Sequence, residues 1–333
     1  MSKRCLYCYR VLDGNENDFH AACSKKIFGV PIPPVLLYSE NNMYDLAAQV
    51  IQSQTTVTGV QPKLSLHLAS AEQPNLARRF TIVGMWGGFI LKPPSPHYTH
   101  LPEVEDLTMH LASIAKIKVV PHSLIRLASG NLAYITKRID RVKNEKLHME
   151  DMCQLTDKLT EDKYRGSHEQ VAKAISKFSA TPGLDVINFF ELVLFSFLTG
   201  NADMHLKNFS LIDQPATGPV FSPAYNLVAT ALVNPADDED LALTLSGKKK
   251  KINRKDFIAA FTTLGLDAKQ QENIFKKMEK AKSSWFDIID ISFLNDKMKL
   301  AYKNLMQDRF ARLYPTTINQ QLIHEHQQPK TFR

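Results

Sequence analysis

The chain has 333 residues, 44% of them hydrophobic and 23% charged, enough to bury a substantial core in one large domain or two of ordinary size. That balance excludes wholesale disorder and a collagen-like chain, and no fixed-period repeat points to a solenoid. With 41 Lys and Arg against 34 Asp and Glu, the formal charge of +7 favours polyanionic partners such as nucleotides, tRNA or DNA without choosing among them.

Residues 1–30 carry a CxxC pair, Cys5 and Cys8, and an HxxC pair, His20 and Cys23. They lack the apolar core of a secretory signal, so the default location is the cytoplasm. Four cysteines in a chain this long make no disulfide scaffold. The pairs stand 11 residues apart, close to the spacing of a small zinc finger or ribbon, and could make a Cys3His zinc site. A redox pair and chance placement of buried cysteines are the other readings. A Pro-rich spacer, residues 30–36, follows. Residues 41–53 predict a short helix with Leu46, Ala47, Val50 and Ile51 on one side.

Strands are expected at 64–68, 80–83, 89–91, 123–127 and 132–135. A helix from about Pro102 to Ile117 interrupts them, with Val104, Leu107, Leu111 and Ile114 at helical spacing. Further helices are expected at 171–178 and 186–198. The second is apolar nearly all round, hence buried, and with Asn188 and Glu191 it reads as too short and too polar to span a membrane. Gly200 is a natural stop, 201–208 a polar loop and 209–212 a strand. Helical patterns return at 255–264, 268–283 and 294–313. The pattern is α+β, with a cleft between a β-rich and an α-rich lobe. The expected division is a Cys/His-bearing segment (1–30), a β-rich N-lobe (31–140), a helical C-lobe (141–314) and a loosely ordered polar tail (315–333).

Chemistry concentrates in GNADMHLKNFSLI, residues 200–212. Asp203 leaves a buried helix in a polar loop, and Asn208 follows just before a strand. Phosphoryl transfer uses such a pair, the Asp to receive or orient a hydroxyl and the Asn to offer an oxygen to magnesium. A solvated turn fits the same spacing. Lys92 ends an apolar strand, where its ammonium would face a cleft and suit a phosphate, though strands often end in Lys. Gly59, among small and hydroxyl residues in TTVTGVQPK, would present backbone N–H groups to phosphate beside Lys63. It is not a Walker A loop.

Six ordered blocks, TVTGVQPK, FILKP, YITKRIDR, EDMCQ, GNADMHLKNFSL and SPAYNLVAT, resemble the HipA-like serine/threonine kinases, toxins of bacterial toxin–antitoxin modules. The resemblance spans roughly residues 20–310 and implies a bilobal protein-kinase-like fold. The chain begins close to the phosphate-loop block, so it looks like the short HipT type, whose missing N-terminal subdomain is supplied by a small kinase-like antitoxin. The resemblance makes Asp203 the catalytic Asp and Asn208 a magnesium ligand. His205 and Lys207 share their loop, and Tyr225 lies in the second metal block. Lys92 becomes the ATP-phosphate Lys, and Thr58, Gly59, Val60, Gln61 and Lys63 the phosphate loop. Lys137, Arg138 and Ile139 match the hinge that holds adenine. Thr56 and Thr58 match the autophosphorylated positions, where a phosphate would add about −2 charge in the ATP site. ATP and Mg2+ are the implied cofactors. The implied partners are the kinase-like antitoxin, a DNA-binding antitoxin and, as target, an aminoacyl-tRNA synthetase whose loss inhibits translation.

One block departs from the family pattern. Where the family carries a metal-binding Asp, this chain reads AYNL, with Asn226. An amide oxygen can coordinate magnesium but brings no charge. The departure implies reduced activity, natural or engineered, or a silent pseudokinase acting as a scaffold or corepressor. Cys153 reads as a buried structural thiol. Either Glu103 or Glu105 could partner a phosphate-site Lys. The Lys248–Lys251 run is a candidate DNA contact, and a solvated basic loop is the simpler account.

Overall fold

The computed structural model describes residues 3–14, 16–43, 63–69, 76–83, 87–142 and 145–314. Residues 40–43 are helical, and the rest of the helix expected at 41–53 lies outside the described residues, as do Thr56, Thr58, Gly59, Val60, Gln61 and the tail from 315.

An N-terminal helix, α1 (Ala21–Phe28), precedes a five-stranded sheet. Its strands are β1 (Leu64–Leu68), β2 (Phe80–Val83), β3 (Phe89–Lys92), β4 (His122–Arg126) and β5 (Leu132–Lys137). They run antiparallel in the order β2-β1-β3-β5-β4. Helix α2 (Leu101–Ile114) lies against β4 and β5. Pro102 sits in its first turn, where a missing N–H leaves nothing unsatisfied. The helix stops short of Ile117 because Lys116 turns left-handed, at φ 60°.

The chain then forms the hairpin β6 (Arg141–Val142) and β7 (Glu145–Lys146), followed by β8 (Met149–Asp151) and the short helix α3 (Met152–Leu155). Helices α4 (His168–Phe178) and α5 (Pro182–Thr199) come next. A second hairpin, β9 (Ser210–Gln214) and β10 (Gly218–Phe221), pairs with β8 in a three-stranded sheet. The remainder is helical: α6 (Thr230–Val233), α7 (Arg254–Thr263), α8 (Ala268–Asp290) and α9 (Asp296–Leu313).

Helix α5 is the hub of the second lobe, in contact with α4, α8, α9 and β10. At 18 residues and mean hydropathy 1.4 it is long and apolar enough to cross a membrane by length and composition, contrary to expectation. It is 67% buried within the protein, the setting of a core helix. Helix α8 continues to Asp290 rather than ending near 283, because Trp285 and Ile289 prolong the buried stripe of Ile274, Phe275, Met278 and Ala281. Apolar packing continues from one lobe into the other, and Trp285 Nε1 donates to the Leu111 carbonyl of α2 at 2.7 Å.

Candidate active site

The site begins where α5 ends. Gly200 is left-handed, at φ 68°, and turns the chain into the loop that carries Asp203. Local bonds fix that loop. Ala202 N–H donates to Thr230 Oγ1 at 2.8 Å, and Asp203 N–H to Asn201 Oδ1 at 3.2 Å. Asn208 Nδ2 donates across the loop to the Asp203 carbonyl at 2.6 Å. The hairpin β9–β10 then doubles back, with Leu211 opposite Phe221. The segment after β10 is held to the first lobe by Ala224, whose N–H donates to the Lys118 carbonyl at 2.9 Å and whose carbonyl accepts from Val120 N–H at 3.0 Å. This return brings Asn226 beside Asn208, its Nδ2 donating to Asn208 Oδ1 at 3.0 Å.

Lys92 completes the link. It ends β3, opposite Tyr134 on β5, and is 4% exposed. Its ammonium donates to Asn226 Oδ1 at 2.8 Å and forms a close ion pair with Glu105 of α2. Glu105, Lys92, Asn226, Asn208 and Asp203 thus form one connected chain of groups across the junction of the lobes. Glu105 is 2% exposed; burial pushes its carboxyl up, and the Lys92 ammonium offsets only part of that rise. Of the two glutamates left open by the sequence, Glu105 takes the Lys, while Glu103 faces His100 at 3.2 Å. Lys63 stands just before β1 and loses part of its hydration there. That setting, reinforced by the like charge of Lys92, lowers it to about 8.

Asp203 Oδ1 accepts a hydrogen bond from the Tyr164 hydroxyl at 2.7 Å. Sequence reasoning missed this residue, since nothing in the pattern around a tyrosine 39 positions away ties it to the loop. Burial, and the bond to the carboxylate, push the Tyr164 phenol up, so it stays a donor. His205 Nε2 lies 4.0 Å from the same oxygen. Burial lowers His205 to about 4, so at neutral pH it is an uncharged neighbour of Asp203.

The remaining expected residues are placed as follows. Lys207 is in the loop, but its ammonium goes to Asp151 at 2.7 Å, tying β8 to the loop. The Tyr225 hydroxyl bonds the Lys207 carbonyl and Ser210 Oγ, both at 2.8 Å, and so braces the loop. At the expected hinge, Lys137 and Arg138 give their backbone N–H groups to the carbonyls of Pro121 and Gly88. The Arg138 guanidinium clasps Asp140, and Ile139 packs against the core. Lys248, Lys249 and Lys250 are paired with Asp256, Glu239 and Asp238, which neutralises much of the basic run. Cys153 is buried, as expected. Cys5, Cys8, His20 and Cys23 gather in the N-terminal segment, separate from this site.

The group fits a nucleotide phosphate better than it fits a metal. A buried Lys fixed by a Glu is a rigid cation for phosphate. Magnesium takes oxygens, ordinarily with one or two carboxylates among them. Here the two candidate oxygens, on Asn208 and Asn226, are neutral, and each already accepts a hydrogen bond. A magnesium ion bound here would depend on charge from the nucleotide itself.

Comparison with known proteins bears on this arrangement. The family model for the HipA-like C-terminal domain matches residues 55–285. The chain is 34% identical over 179 residues to "Putative kinase Y4dM" of Sinorhizobium fredii, covering 50% of this chain and 43% of that protein. It is 28% identical over 210 residues to a "Putative kinase" of Haemophilus influenzae, covering 60% of this chain and 59% of the relative. The chain therefore spans about half the length of the curated relatives it matches. Among solved structures, it resembles HipA of Shewanella oneidensis, determined with HipB and operator DNA, at TM-score 0.64 and 21% identity over 80% of this chain and 70% of that one. It also resembles the Helicobacter pylori proinflammatory kinase CtkA, at TM-score 0.52 and 16% identity over 71% and 91% of the two chains. The fold is therefore the bilobal kinase-like one that the sequence blocks implied, and with the family match extending from residue 55 into α8, the chain belongs to the HipA-like family.

Proposed function

We propose that this chain binds ATP at the junction of its lobes and is built to transfer the γ-phosphate to a serine or threonine hydroxyl of a protein. The observation that carries the reading is the connected set Glu105–Lys92–Asn226–Asn208–Asp203. Lys92, fixed by Glu105, neutralises phosphate charge. Asp203, held at one oxygen by Tyr164, orients the attacking hydroxyl and receives its proton. The hydroxyl oxygen bonds to the γ-phosphorus, the bond from that phosphorus to the bridging oxygen breaks, and ADP leaves with the electron pair. Bound magnesium would supply charge neutralisation on the phosphates, with Asn208 and Asn226 as its protein oxygens.

Asn226 sets the expected level of activity. An amide brings no charge to the metal, and its Nδ2 bond occupies the Asn208 oxygen. Slow transfer with retained nucleotide binding follows. The resemblance extends the proposal to a translation-inhibiting toxin acting on an aminoacyl-tRNA synthetase, with autophosphorylation at Thr56 or Thr58. The HipB and operator DNA in the Shewanella structure support a DNA-binding antitoxin as partner. A kinase-like antitoxin belongs to the same proposal. The second reading, a pseudokinase that binds nucleotide or partners as a scaffold, is favoured by Asn226 alone.

Phosphate incorporation from ATP with magnesium, read by intact mass, tests the proposal. This chain is compared with Asn226→Asp and with Asn226→Asp carrying Asp203→Ala. The expected result is a phosphate on the Asn226→Asp chain, at least ~10-fold more slowly on the parent, and none on the double variant. Silence in all three, together with a labelled ATP analogue that still binds, would favour the scaffold reading.

A further inference from the structure

We propose that Cys5, Cys8, His20 and Cys23 bind a structural Zn2+ that holds an N-terminal knuckle against the edge of the sheet and against helix α2. The four ligand atoms lie within 4.8 Å of one another. The Cys8 and Cys23 sulfurs stand 3.5 and 3.7 Å from His20 Nδ1. Tetrahedral zinc with ordinary bond lengths sets neighbouring ligands about 3.6–3.8 Å apart, so Cys8 and Cys23 stand from His20 at close to the spacing the ion requires. The second nitrogen of His20 is already assigned: Nε2 contacts the Val11 carbonyl at 3.0 Å. As a donor there, it leaves the Nδ1 lone pair facing the thiols, the outer-shell arrangement of a metal-bound histidine.

Local backbone structure presents the four ligands, while Leu6, Tyr9, Phe19, Ile27 and Phe28 of the same segment pack into the core. Cys5 and Cys8 stand on a tight turn closed by Cys5 N–H to the Arg10 carbonyl at 2.8 Å and Tyr9 N–H to the Cys5 carbonyl at 2.9 Å. Tyr9 is left-handed there, at φ 64°. His20 is the N-cap of α1, and Cys23 lies within its first turn. All three cysteines are unbridged. A disulfide between two of them would leave the third thiol and the histidine without purpose, whereas a tetrahedral cation uses all four.

The knuckle covers a vulnerable edge. Strand β4 is the last in the sheet. The Leu6 carbonyl accepts from Leu124 N–H at 3.3 Å and from Ser123 Oγ at 3.1 Å, so the knuckle occupies hydrogen-bonding groups that an open edge would expose. Asp18 clasps the Arg126 guanidinium at 2.8–3.1 Å. The Tyr9 hydroxyl donates to buried Asp106 of α2 at 2.7 Å. Asp106 is the immediate neighbour of Glu105, which fixes Lys92 in the candidate site. The ion would therefore brace the helix that positions the phosphate-binding lysine.

The test uses the full chain. Metal analysis of protein purified without chelator is expected to give about one zinc per chain, and cobalt exchanged into it the visible ligand-field bands of a tetrahedral thiolate site. Cys8→Ser with Cys23→Ser should abolish both signals, and Cys153→Ser should leave both. Removing the ion with a chelator should raise hydrogen exchange in peptides covering 118–127, while peptides from α5 stay protected. No zinc after growth and refolding in zinc, or a cobalt spectrum without thiolate bands, would overturn the proposal, and so would a disulfide found within the cluster. None of these readouts depends on kinase activity, so the site stands or falls separately from the proposed function.

Discussion

His168 is completely buried between Phe189 and Phe209, and neither ring nitrogen has a hydrogen-bond partner among the described residues. Burial alone lowers it to about 3, against an ordinary value of 6.5. Between those values the unfolded chain takes up a proton that the folded chain refuses. Stability therefore falls as pH drops below about 6.5 and stops falling on this account near 3. At pH 5 one such group costs ~2 kcal/mol relative to neutral pH. In His168→Leu the loss of stability between pH 7 and pH 5 should shrink by that amount, measured by urea unfolding at both pH values. An unchanged loss would show that the ring protonates in the folded state. At this scale residue type and spacing pointed to Asp203, Asn208 and Lys92, and the family resemblance added Asn226. It could not choose between Glu103 and Glu105. At about 100° per residue, Glu103 lies nearer the apolar stripe Val104, Leu107, Leu111 and Ile114. Yet α2 is covered nearly all round, and Glu105 is the more deeply buried of the two. A rule that assumes one wet face fails on such a helix.

The main elements were legible because their apolar periods are strong, and α5 and the strand ending in Lys92 appear within a few residues of expectation. The two-residue strands β6 and β7 and the three-residue β8 carry too little pattern to read. Strand β10 contains Pro219, which argues against a strand in sequence terms, but β10 is an edge strand and tolerates it. The end of α5 rests on Gly200. A Cβ there would stand 2.7 Å from Leu305 Cδ2 and 3.1 Å from Ala231 Cβ, on a backbone that is already left-handed. Gly200→Ala should cost about 2–4 kcal/mol, combining left-handed strain with overpacking. In a Leu305→Ala background the same change should cost less, because the nearest clash is gone while the backbone term remains. Urea midpoints for the four chains of this cycle measure the difference. Equal costs in the two backgrounds would mean that Leu305 does not crowd the turn.

A β-rich half followed by an α-rich half suggests two separable lobes, and the structure binds them through α2. This one helix gives Glu105 to Lys92, Asp106 to Tyr9 and His122, Thr108 to Tyr302 of α9, and the Leu111 carbonyl to Trp285 of α8. The last two contacts cross between the lobes and depend on tertiary placement, which no local period reveals. Trp285 is fully buried at the junction, against Phe195 of α5 and Phe310 of α9. Chains of this length commonly unfold in stages. Here the shared helix means that neither lobe can open without uncovering apolar surface on the other. Urea unfolding is therefore expected to be one transition for the helical core and the junction together. In a Trp86→Phe chain Trp285 is the sole tryptophan, and its fluorescence should change at the same urea concentration as the far-ultraviolet circular dichroism. Tyr302→Phe, which removes the bond to Thr108, should shift both curves to lower urea by the same amount. A fluorescence change that precedes the loss of helix would mean that the lobes part before they unfold, and that α2 belongs to one lobe alone.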